Sequence, residues 1–406
     1  MKFVRTLNST VCALASACLT IAHADVITDW NIKANDFVAA AKISPMAANR
    51  SMAIVNVAVF DAVNAISGKY PKSARLDVSA PSDASVDAAV AAATRSALAK
   101  LLPQVQKDID SAYAAALASL GDGAAKSAGI AVGEKAAAAV LDMRANDGAS
   151  APDTYVPSTT PGTYVLTGSP AAPHWGSRKP WLMSAGDQFR PAAPPALVSE
   201  LWARDYNEVK TLGGKTSTQR TPVQSEIARF WEVTQTTLFY PLARTVALQP
   251  GRDVTQNARL MAAVGVALDD AVIAVWDAKY AYNFWRPVTA IRNGDRDGNS
   301  ATDVDTAWSP FIDTPPHPEY PCAHCIVASA LATVLQVEVN SGNTLNFSST
   351  SPTLPGVTRS WTSLAEFAQE VQNARVYDGV HYRNSTDVGA SMGRKVGELV
   401  AARWLR

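Results

Sequence analysis

The chain has 406 residues, and its 36 lysines and arginines are balanced by 36 aspartates and glutamates, so its formal net charge is zero. This balance argues against a nucleic-acid-binding surface, because nucleic-acid-binding proteins usually carry a basic excess. The length is sufficient for one large domain or two modest ones, with ample hydrophobic core.

The N-terminal segment has the organisation of a secretory signal peptide. Lys2 and Arg5 precede an apolar run at 11–21, and the sequence AHA at 22–24 has the A-x-A form of a cleavage site. The apolar run is shorter than the ~20 residues that a membrane-spanning helix requires. We therefore expect residues 1–24 to be removed and the mature chain to be exported, either to the periplasm or to the medium, with no membrane span.

Most of the mature chain has the apolar spacing of helices. Apolar residues recur at three- and four-residue intervals, and the period-two alternation of strands is scarce. The predicted helices of the N-terminal half cover 33–43, 48–66, 86–101, 105–120 and 124–144. Those of the C-terminal half cover 198–212, 223–233, 254–282, 326–337, 364–376 and 388–405. We predict an all-α fold.

One segment interrupts the helical pattern. Residues 149–196 are rich in Pro, Gly, Ser and Thr, which predicts a long irregular connection between the helical regions 25–148 and 197–406. We expect these two helical regions to form one compact domain, with the functional site in the second.

Three cations and two histidines of the second helical region are candidates for an anion site. Lys279 and Arg286 are seven residues apart, about two helical turns, which predicts that both project from one helical face. Burying them is costly unless an anion meets them, and the alternative is a solvated face with surface ion pairs. Arg375 precedes His381 by six residues, and His324 lies at a helix start, where backbone N–H groups can bind an oxyanion.

These residues resemble a signature shared by the vanadium-dependent haloperoxidases and the type 2 phosphatidic acid phosphatase superfamily, which includes secreted bacterial acid phosphatases. The family pattern is Lys-x6-Arg-Pro, then Pro-Ser-Gly-His, then Ser-Arg-x5-His. It reads here as Lys279…Arg286-Pro287, Pro321-Cys322-Ala323-His324 and Ala374-Arg375…His381. The segments LDDAVIAVWDAKYAYNFWRP and TPPHPEYP are also similar to bacterial haloperoxidase-like proteins.

The resemblance implies a helical bundle that holds one tetrahedral oxyanion. In a haloperoxidase the anion is vanadate, which acts as a Lewis acid on hydrogen peroxide so that halide is oxidised. In a phosphatase, the phosphate of an ester substrate occupies the same site. The residues that the resemblance assigns to the oxyanion are Lys279, Arg286, Cys322, Ala323, Arg375 and His381.

The resemblance also implies individual roles. His381 would be the vanadium ligand, or the nucleophile that forms a phosphohistidine in a phosphatase. His324 would be the acid–base group. His317 and Trp276 would line the substrate pocket, as similar residues do in bromide- and chloride-oxidising relatives; a surface histidine and a packed tryptophan are the alternatives.

The chain departs from the family pattern at four positions. Cys322, Ala323 and Ala374 replace a serine, a glycine and a second serine. A thiol is a weaker hydrogen-bond donor than a hydroxyl, and a disulfide donates nothing. Ser385 replaces the aspartate four residues after the second histidine, so we consider Asp387 as the residue that orients His381, or simply as a helix cap.

Cys322 and Cys325 are the only cysteines beyond the predicted signal peptide, and they admit three interpretations. A zinc site with His324 lacks a second, distant pair of ligands, and a thioredoxin-like redox pair lacks its βαβ context. A local disulfide fits both the short spacing and an exported chain, and this is our prediction.

The leading hypothesis is therefore an exported vanadium-dependent haloperoxidase that uses hydrogen peroxide and halide. The alternatives are an acid phosphatase acting through a phosphohistidine in the same pocket, and a catalytically impaired oxyanion-binding homologue.

Overall fold

The computed structural model describes residues 25–71, 80–339 and 345–405, so the predicted signal peptide lies outside the described residues. The described part is mainly helical, with one antiparallel hairpin, which confirms the predicted all-α class. Among the described residues, no helix combines the length and the apolar character needed to cross a bilayer.

The N-terminal helices begin at the polar caps expected for helices. The side chains of Asp25, Ser44 and Ser85 each accept a hydrogen bond from a backbone N–H of the first turn that follows. The helices are α1 (Val26–Ala40), α2 (Pro45–Ser67), α3 (Val86–Leu101), α4 (Gln106–Ala118) and α5 (Ala124–Arg144). Except at the start of α1, these bounds lie close to the predicted ones.

The segment 149–196 is irregular, as predicted, apart from a short 3₁₀ helix at Pro173–Ser177. It is tied to the bundle by buried polar contacts. Arg178 forms ion pairs with Asp147 and Asp269, and Asp270 accepts hydrogen bonds from three successive backbone N–H groups beginning at Trp181.

The C-terminal region contains three features that the apolar pattern does not predict: helix α8 (Thr236–Ala247), the short helix α10 (Pro287–Arg292) and a hairpin of β1 (Phe347–Ser351) and β2 (Leu354–Trp361). Helix α8 has Pro241 inside it, which makes the sequence resemble a helix break. Strand β1 alternates buried and exposed residues, but they are mostly Ser and Thr, so no hydrophobic alternation is visible in the sequence. Strand β2 pairs with it and has only one buried residue. The elements are α6 (Glu200–Gly213), α7 (Pro222–Phe230), α8 (Thr236–Ala247), α9 (Val254–Tyr282), α10 (Pro287–Arg292), α11 (Ala323–Glu338), β1 (Phe347–Ser351), β2 (Leu354–Trp361), α12 (Leu364–Tyr377) and α13 (Arg383–Trp404).

Helix α9 is the centre of the hydrophobic core. It has 29 residues, most of them buried, and starts with a capping box formed by Asp253 and Gln256. One continuous apolar cluster includes Val57 of α2, Val264 of α9 and Leu331 of α11. The helices on both sides of the irregular segment therefore share one core.

Helices α11 and α13 pack closely against each other, and this contact positions the site. Gly389, Gly393 and Gly397 form a stripe along α13. A Cβ added at Gly389 would lie 2.6 Å from Cys322 O, and a Cβ added at Gly393 would lie 2.3 Å from Ile326 O. Because only glycine permits this approach, the stripe brings the start of α11 against the start of α13.

Candidate active site

His381 follows a tight turn at the end of α12. Gly379 has a φ of 85°, a left-handed conformation that glycine adopts without strain. The turn brings His381 N to 3.1 Å from Arg375 O, and α13 begins two residues later at Arg383. Arg375 and His381 are both buried, so this turn directs both side chains of the third motif into the interior.

The hydrogen bonds of His381 define where its ring proton lies. Nδ1 is 2.7 Å from Glu319 Oε1 and 3.4 Å from Ser385 Oγ, while Nε2 is 3.3 Å from Arg286 NH1. A guanidinium group only donates, so Nε2 carries a lone pair and Nδ1 carries the proton. Burial, together with the charges of Arg286 and Lys279, holds the pKa of His381 well below its ordinary value. His381 is therefore a neutral ring whose Nε2 lone pair is directed toward the cations.

Lys279 and Arg286 reach the site from different elements, so the prediction that they share a helical face is wrong. Helix α9 ends at Tyr282, Asn283 adopts a left-handed φ of 48°, and Arg286 is the N-cap residue of α10. The helix ends between the two cations. They converge nonetheless, because the chain turns back after Asn283, and both are fully buried.

Backbone carbonyls satisfy these two cations without neutralising them. Lys279 Nζ donates to Pro318 O at 2.9 Å and Glu319 O at 2.8 Å, and Arg286 donates to His317 O at 2.9 Å and Val380 O at 2.8 Å. Burial and the charge of Arg286 hold the pKa of Lys279 well below its ordinary value. Burial also lowers the pKa of Arg286 to about 10. An anion bound here would favour the charged form of Lys279.

The two residues predicted to line a substrate pocket lie beside Arg286. His317 Nδ1 is 2.9 Å from Arg286 NH2, so it accepts this hydrogen bond. The ring of Trp276 lies 5.1 Å from that of His317, and its Nε1 donates to Ala171 O at 3.0 Å. Both side chains are buried. Ala171 belongs to the irregular segment, which therefore contributes to this side of the site.

Arg375 has hydrogen-bonding capacity left over. Its NH1 donates to Trp231 O at 2.6 Å and forms an ion pair with Asp378 Oδ2 at 2.8 Å that lacks hydrogen-bond alignment. Its Nε and NH2 are buried and have no hydrogen-bond partner among the described residues. Burial lowers the pKa of Arg375, although the charge of Asp378 opposes this shift. One edge of the guanidinium fork is thus free to bind an oxyanion.

His324 lies in the first turn of α11 and also has a free ring nitrogen. It is buried, and its Nε2 has no hydrogen-bond partner among the described residues. Burial and the charges of Arg375 and Lys279 hold its pKa well below the ordinary value, against a backbone hydrogen bond with Val233. Because Nε2 is free, that bond involves Nδ1, and Nε2 remains available for proton transfer.

The cysteines form the predicted disulfide. Cys322 and Cys325 are bonded to each other and fully buried. Cys322 is the N-cap residue of α11, and its Sγ accepts a hydrogen bond from Cys325 N at 3.2 Å. Cys322 therefore has no thiol proton to give to an anion, and Ala323 can offer only its backbone N–H. Ala374 is fully buried on α12, with no side-chain donor.

Two buried carboxylates of the site are absent from the sequence prediction. Glu319, rather than Asp387, meets His381; Asp387 is exposed within α13 and does not cap it, which corrects the expected orienting role. Asp378 pairs with Arg375. Glu319 stands in the TPPHPEYP segment, but 62 residues separate it from His381, and no local pattern indicates that contact.

The assembled residues suit an oxyanion rather than a bare metal cation. Within the described residues, no group of three or more His, Cys, Asp or Glu is arranged to hold a metal ion. Three cations instead surround one histidine lone pair. The buried polar atoms near the cations that have no hydrogen-bond partner among the described residues include Arg375 Nε, Arg375 NH2 and His324 Nε2. The two Arg375 donors, the His324 Nε2 that can exchange a proton with a bound oxygen, and the Nε2 lone pair of His381 fit a tetrahedral oxyanion such as vanadate or phosphate.

Comparisons with known proteins show which family this chain resembles. Residues 259–406 match the family model of the VCPO second helical-bundle domain. A vanadium chloroperoxidase from Curvularia inaequalis is 27% identical over 190 residues, which is 39% of this chain and 31% of that protein. The chain thus spans about a third of the length of this relative.

Solved structures share the fold over nearly the whole chain. The crystal structure of a bacterial vanadium-dependent iodoperoxidase superposes with a TM-score of 0.78 and 24% identity, covering 94% of this chain and 96% of that one. A holo-type bacterial vanadium-dependent chloroperoxidase gives a TM-score of 0.71 and 18% identity, covering 90% and 93%. The resemblance to the vanadium haloperoxidases inferred from the three motifs is confirmed.

Proposed function

We propose that this chain, which has the fold of the vanadium haloperoxidases, is an exported enzyme that oxidises halide with hydrogen peroxide at a vanadate held by His381. The observation that carries this proposal is the combination of unpartnered polar atoms on Arg375 and His324 with a neutral His381 that contacts Arg286, all of them buried. Relatives named as chloroperoxidase and iodoperoxidase support the reaction class.

The residues of the anion site have separate roles in charge neutralisation, vanadium binding and proton transfer. Lys279, Arg286 and Arg375 neutralise the oxyanion, with the free edge of Arg375 donating two hydrogen bonds. The Nε2 lone pair of His381 supplies the one protein ligand. Vanadate, when bound, supplies a Lewis-acidic centre that activates hydrogen peroxide.

His324 is the acid–base group in this proposal. Its Nε2 is free, and its low pKa in the site without anion means that the ring is neutral and can accept a proton. A bound oxyanion offsets the charges of Arg375 and Lys279, which raises the pKa of His324 toward the range where it can also return the proton.

The competing activity is ester hydrolysis in the same pocket. The buried, neutral Nε2 of His381 could also attack phosphorus, and the three cations would bind a phosphate. The third reading, a protein that binds oxyanions without catalysis, is favoured by one specific observation. The disulfide leaves Cys322 without the hydroxyl donor of the family pattern.

One set of assays separates the three. Purified protein is incubated with vanadate, hydrogen peroxide and bromide or iodide, and halogenation of a dye is followed; activity that requires all three components supports the proposal. Hydrolysis of a phosphate ester without vanadate, inhibited by vanadate, would replace it with the phosphatase. Binding of phosphate or vanadate without either activity would leave the non-catalytic alternative. For export, sequencing of protein recovered from periplasm or medium should find Asp25 at the N-terminus.

A further inference from the structure

A carboxylate from the loop before α11 meets the imidazole that follows α12. Glu319 is fully buried, and its Oε1 lies 2.7 Å from His381 Nδ1 and 3.1 Å from the backbone N of Tyr382. The same residue is fixed through its backbone, since its N donates to Phe284 O at 2.9 Å and its O accepts from Lys279 Nζ at 2.8 Å. Glu319 is thus held at four points, two of which belong to the anion site.

Such a contact has two chemical consequences for a ligand histidine. It selects the tautomer with the proton on Nδ1, which leaves the lone pair on Nε2, and it orients the ring. It also makes Nε2 a stronger electron donor, because the partner carries negative charge. The donor Arg286 NH1 at 3.3 Å from Nε2 agrees with the same tautomer from the opposite side of the ring.

The position where relatives place an aspartate cannot perform this role here. Ser385 stands there, and its hydroxyl is 3.4 Å from Nδ1, a longer and uncharged contact. The next acid along the helix, Asp387, is exposed. We infer that Glu319 is the positioning residue of His381 and that it strengthens the coordinate bond of Nε2 to vanadium. This inference rests on the proposed vanadate site.

Vanadate and phosphate together give a test that a merely structural role would not pass. Both anions have the same shape, but only vanadate gains a coordinate bond from the unmodified imidazole on binding. Glu319→Gln retains an acceptor for Nδ1–H and removes the charge. We expect its Kd for vanadate to rise by roughly 10- to 100-fold, whereas its Kd for phosphate stays constant or falls, because a negative charge has left the site.

Asp387→Asn is the matched control, since it removes the same charge from the residue that the sequence pattern favours. It should bind vanadate and phosphate like the wild type. Calorimetric titration of the apoprotein with each anion gives both constants without any turnover. If Glu319→Gln weakens both anions equally, or neither, the inference is wrong; a selective loss of vanadate in Asp387→Asn would move the role to Asp387.

A second measurement determines the tautomer of His381 in the wild-type protein, so it does not depend on whether a Glu319 variant folds. The sequence contains only five histidines, so ring-¹⁵N labelling gives a simple spectrum, and replacing His174 or His317 by glutamine helps to assign it. The apo wild type should show His381 protonated at Nδ1 alone. A wild-type His381 protonated at Nε2 would overturn the inference. If the wild type binds vanadate no more tightly than phosphate, the proposed function is wrong. The tautomer measurement tests the contact between Glu319 and His381 independently of that result.

Discussion

Two clusters of buried arginines in this protein are satisfied in different ways. In the structural cluster, Arg178 pairs with Asp147 at 2.7 Å and with Asp269 at 2.8 Å, and Arg144 pairs with Asp147 at 3.0 Å. All four side chains are almost fully buried. The two positive charges of the arginines are balanced by the two negative charges of the aspartates. This cluster joins the irregular segment to α9 and has no remaining need for an external anion.

In the anion site, by contrast, the cations are held mainly by backbone carbonyls. Lys279 and Arg286 have no carboxylate at hydrogen-bonding distance among the described contacts, and Arg375 has one ion pair, to Asp378. Carbonyl oxygens satisfy donors but carry no net charge, so the positive charge is uncompensated. A buried cation without a neutralising partner therefore indicates a ligand site, whereas a buried cation with such a partner indicates a structural role.

The carboxylates of the two clusters show the same difference. Burial alone would raise the pKa of Asp147, but the hydrogen bond from Arg50 and the charge of Arg178 hold that pKa below its ordinary value. Burial raises the pKa of Asp378 to about 7, and the charge of Arg375 offsets this only in part. Burial also raises the pKa of Glu319 to about 7. The ionised form is therefore favoured for Asp147 and less strongly for Asp378 and Glu319, which are both still mostly ionised at pH 8.

Replacing the central residue of the anion site should give the largest effect. His381→Ala removes the only protein ligand, so we expect halide oxidation, or ester hydrolysis if that is the activity, to fall by at least ~1000-fold. His174→Ala is the control, because His174 lies on the irregular segment outside the site. Steady-state assays of both variants measure the effect; an active His381→Ala would refute the site assignment.

The structural cluster should respond in stability instead of binding. Arg178→Leu leaves Asp147 and Asp269 buried with fewer partners, so we expect the free energy of unfolding to fall by roughly 3–5 kcal/mol. Vanadate affinity of the folded variant should match the wild type. Arg375→Leu should show the reverse, with lost anion affinity and a smaller loss of stability. Denaturant unfolding and calorimetric titration measure the two quantities, and similar behaviour of the variants would break the comparison.

Asp378→Asn should make the anion site more positive. Asparagine can keep the hydrogen bond from Val380 N to the side-chain oxygen, 3.2 Å in the wild type, while the charge is lost. We expect phosphate to bind roughly tenfold more tightly at pH 8, where Asp378, with its pKa of about 7, is mostly ionised. Asp110→Asn is the control, because it removes a charge from a partly exposed residue of α4 that pairs with Arg95. Unchanged or weaker phosphate binding in Asp378→Asn would show that the carboxylate does not oppose the anion.

The same variant has a pH signature with a defined sign. Because the pKa of Asp378 is about 7 in the folded protein and 3.8 ordinarily, folding takes up a proton between these values. Its contribution to stability therefore declines as the pH rises from about 4 to about 7 and is constant above. We expect the unfolding free energy of Asp378→Asn to gain on the wild type across that window, as measured by denaturant unfolding at several pH values. A constant difference would contradict this prediction.

The last prediction concerns the redox state of the disulfide beside His324, for which no effect on the wild-type protein is expected. Because Cys322 and Cys325 are bonded and buried, thiol labelling of the unreduced, denatured mature chain should add no mass, and labelling after reduction should modify both. Intact-mass spectrometry provides the measurement, with the reduced sample as its control. A labelled thiol without reduction would mean that Cys322 can act as a donor in the anion site.

The sequence predicted the class of fold and the residues that would meet. Apolar spacing located most helices, since a helix buries a face that recurs every three to four residues. Helix α8 was not predicted, because Pro241 lies inside it and a proline in a short helical segment resembles a helix break. The three motifs identified Lys279, Arg286, His324, Arg375 and His381 through their resemblance to a known signature, and the structure brings these residues into one buried site.

Only the tertiary structure decided how these residues are supported. The end of α9 separates Lys279 from Arg286, and the loop before α11 supplies Glu319 to a histidine 62 residues away, while Asp387 remains exposed. Helical spacing and motifs are local properties of the chain, so they can be recognised along the sequence. Which carboxylate reaches a given nitrogen depends instead on how distant helices pack, here through the glycine stripe that brings α13 against α11. That packing energy is shared over the whole core, and no short segment of the sequence encodes it.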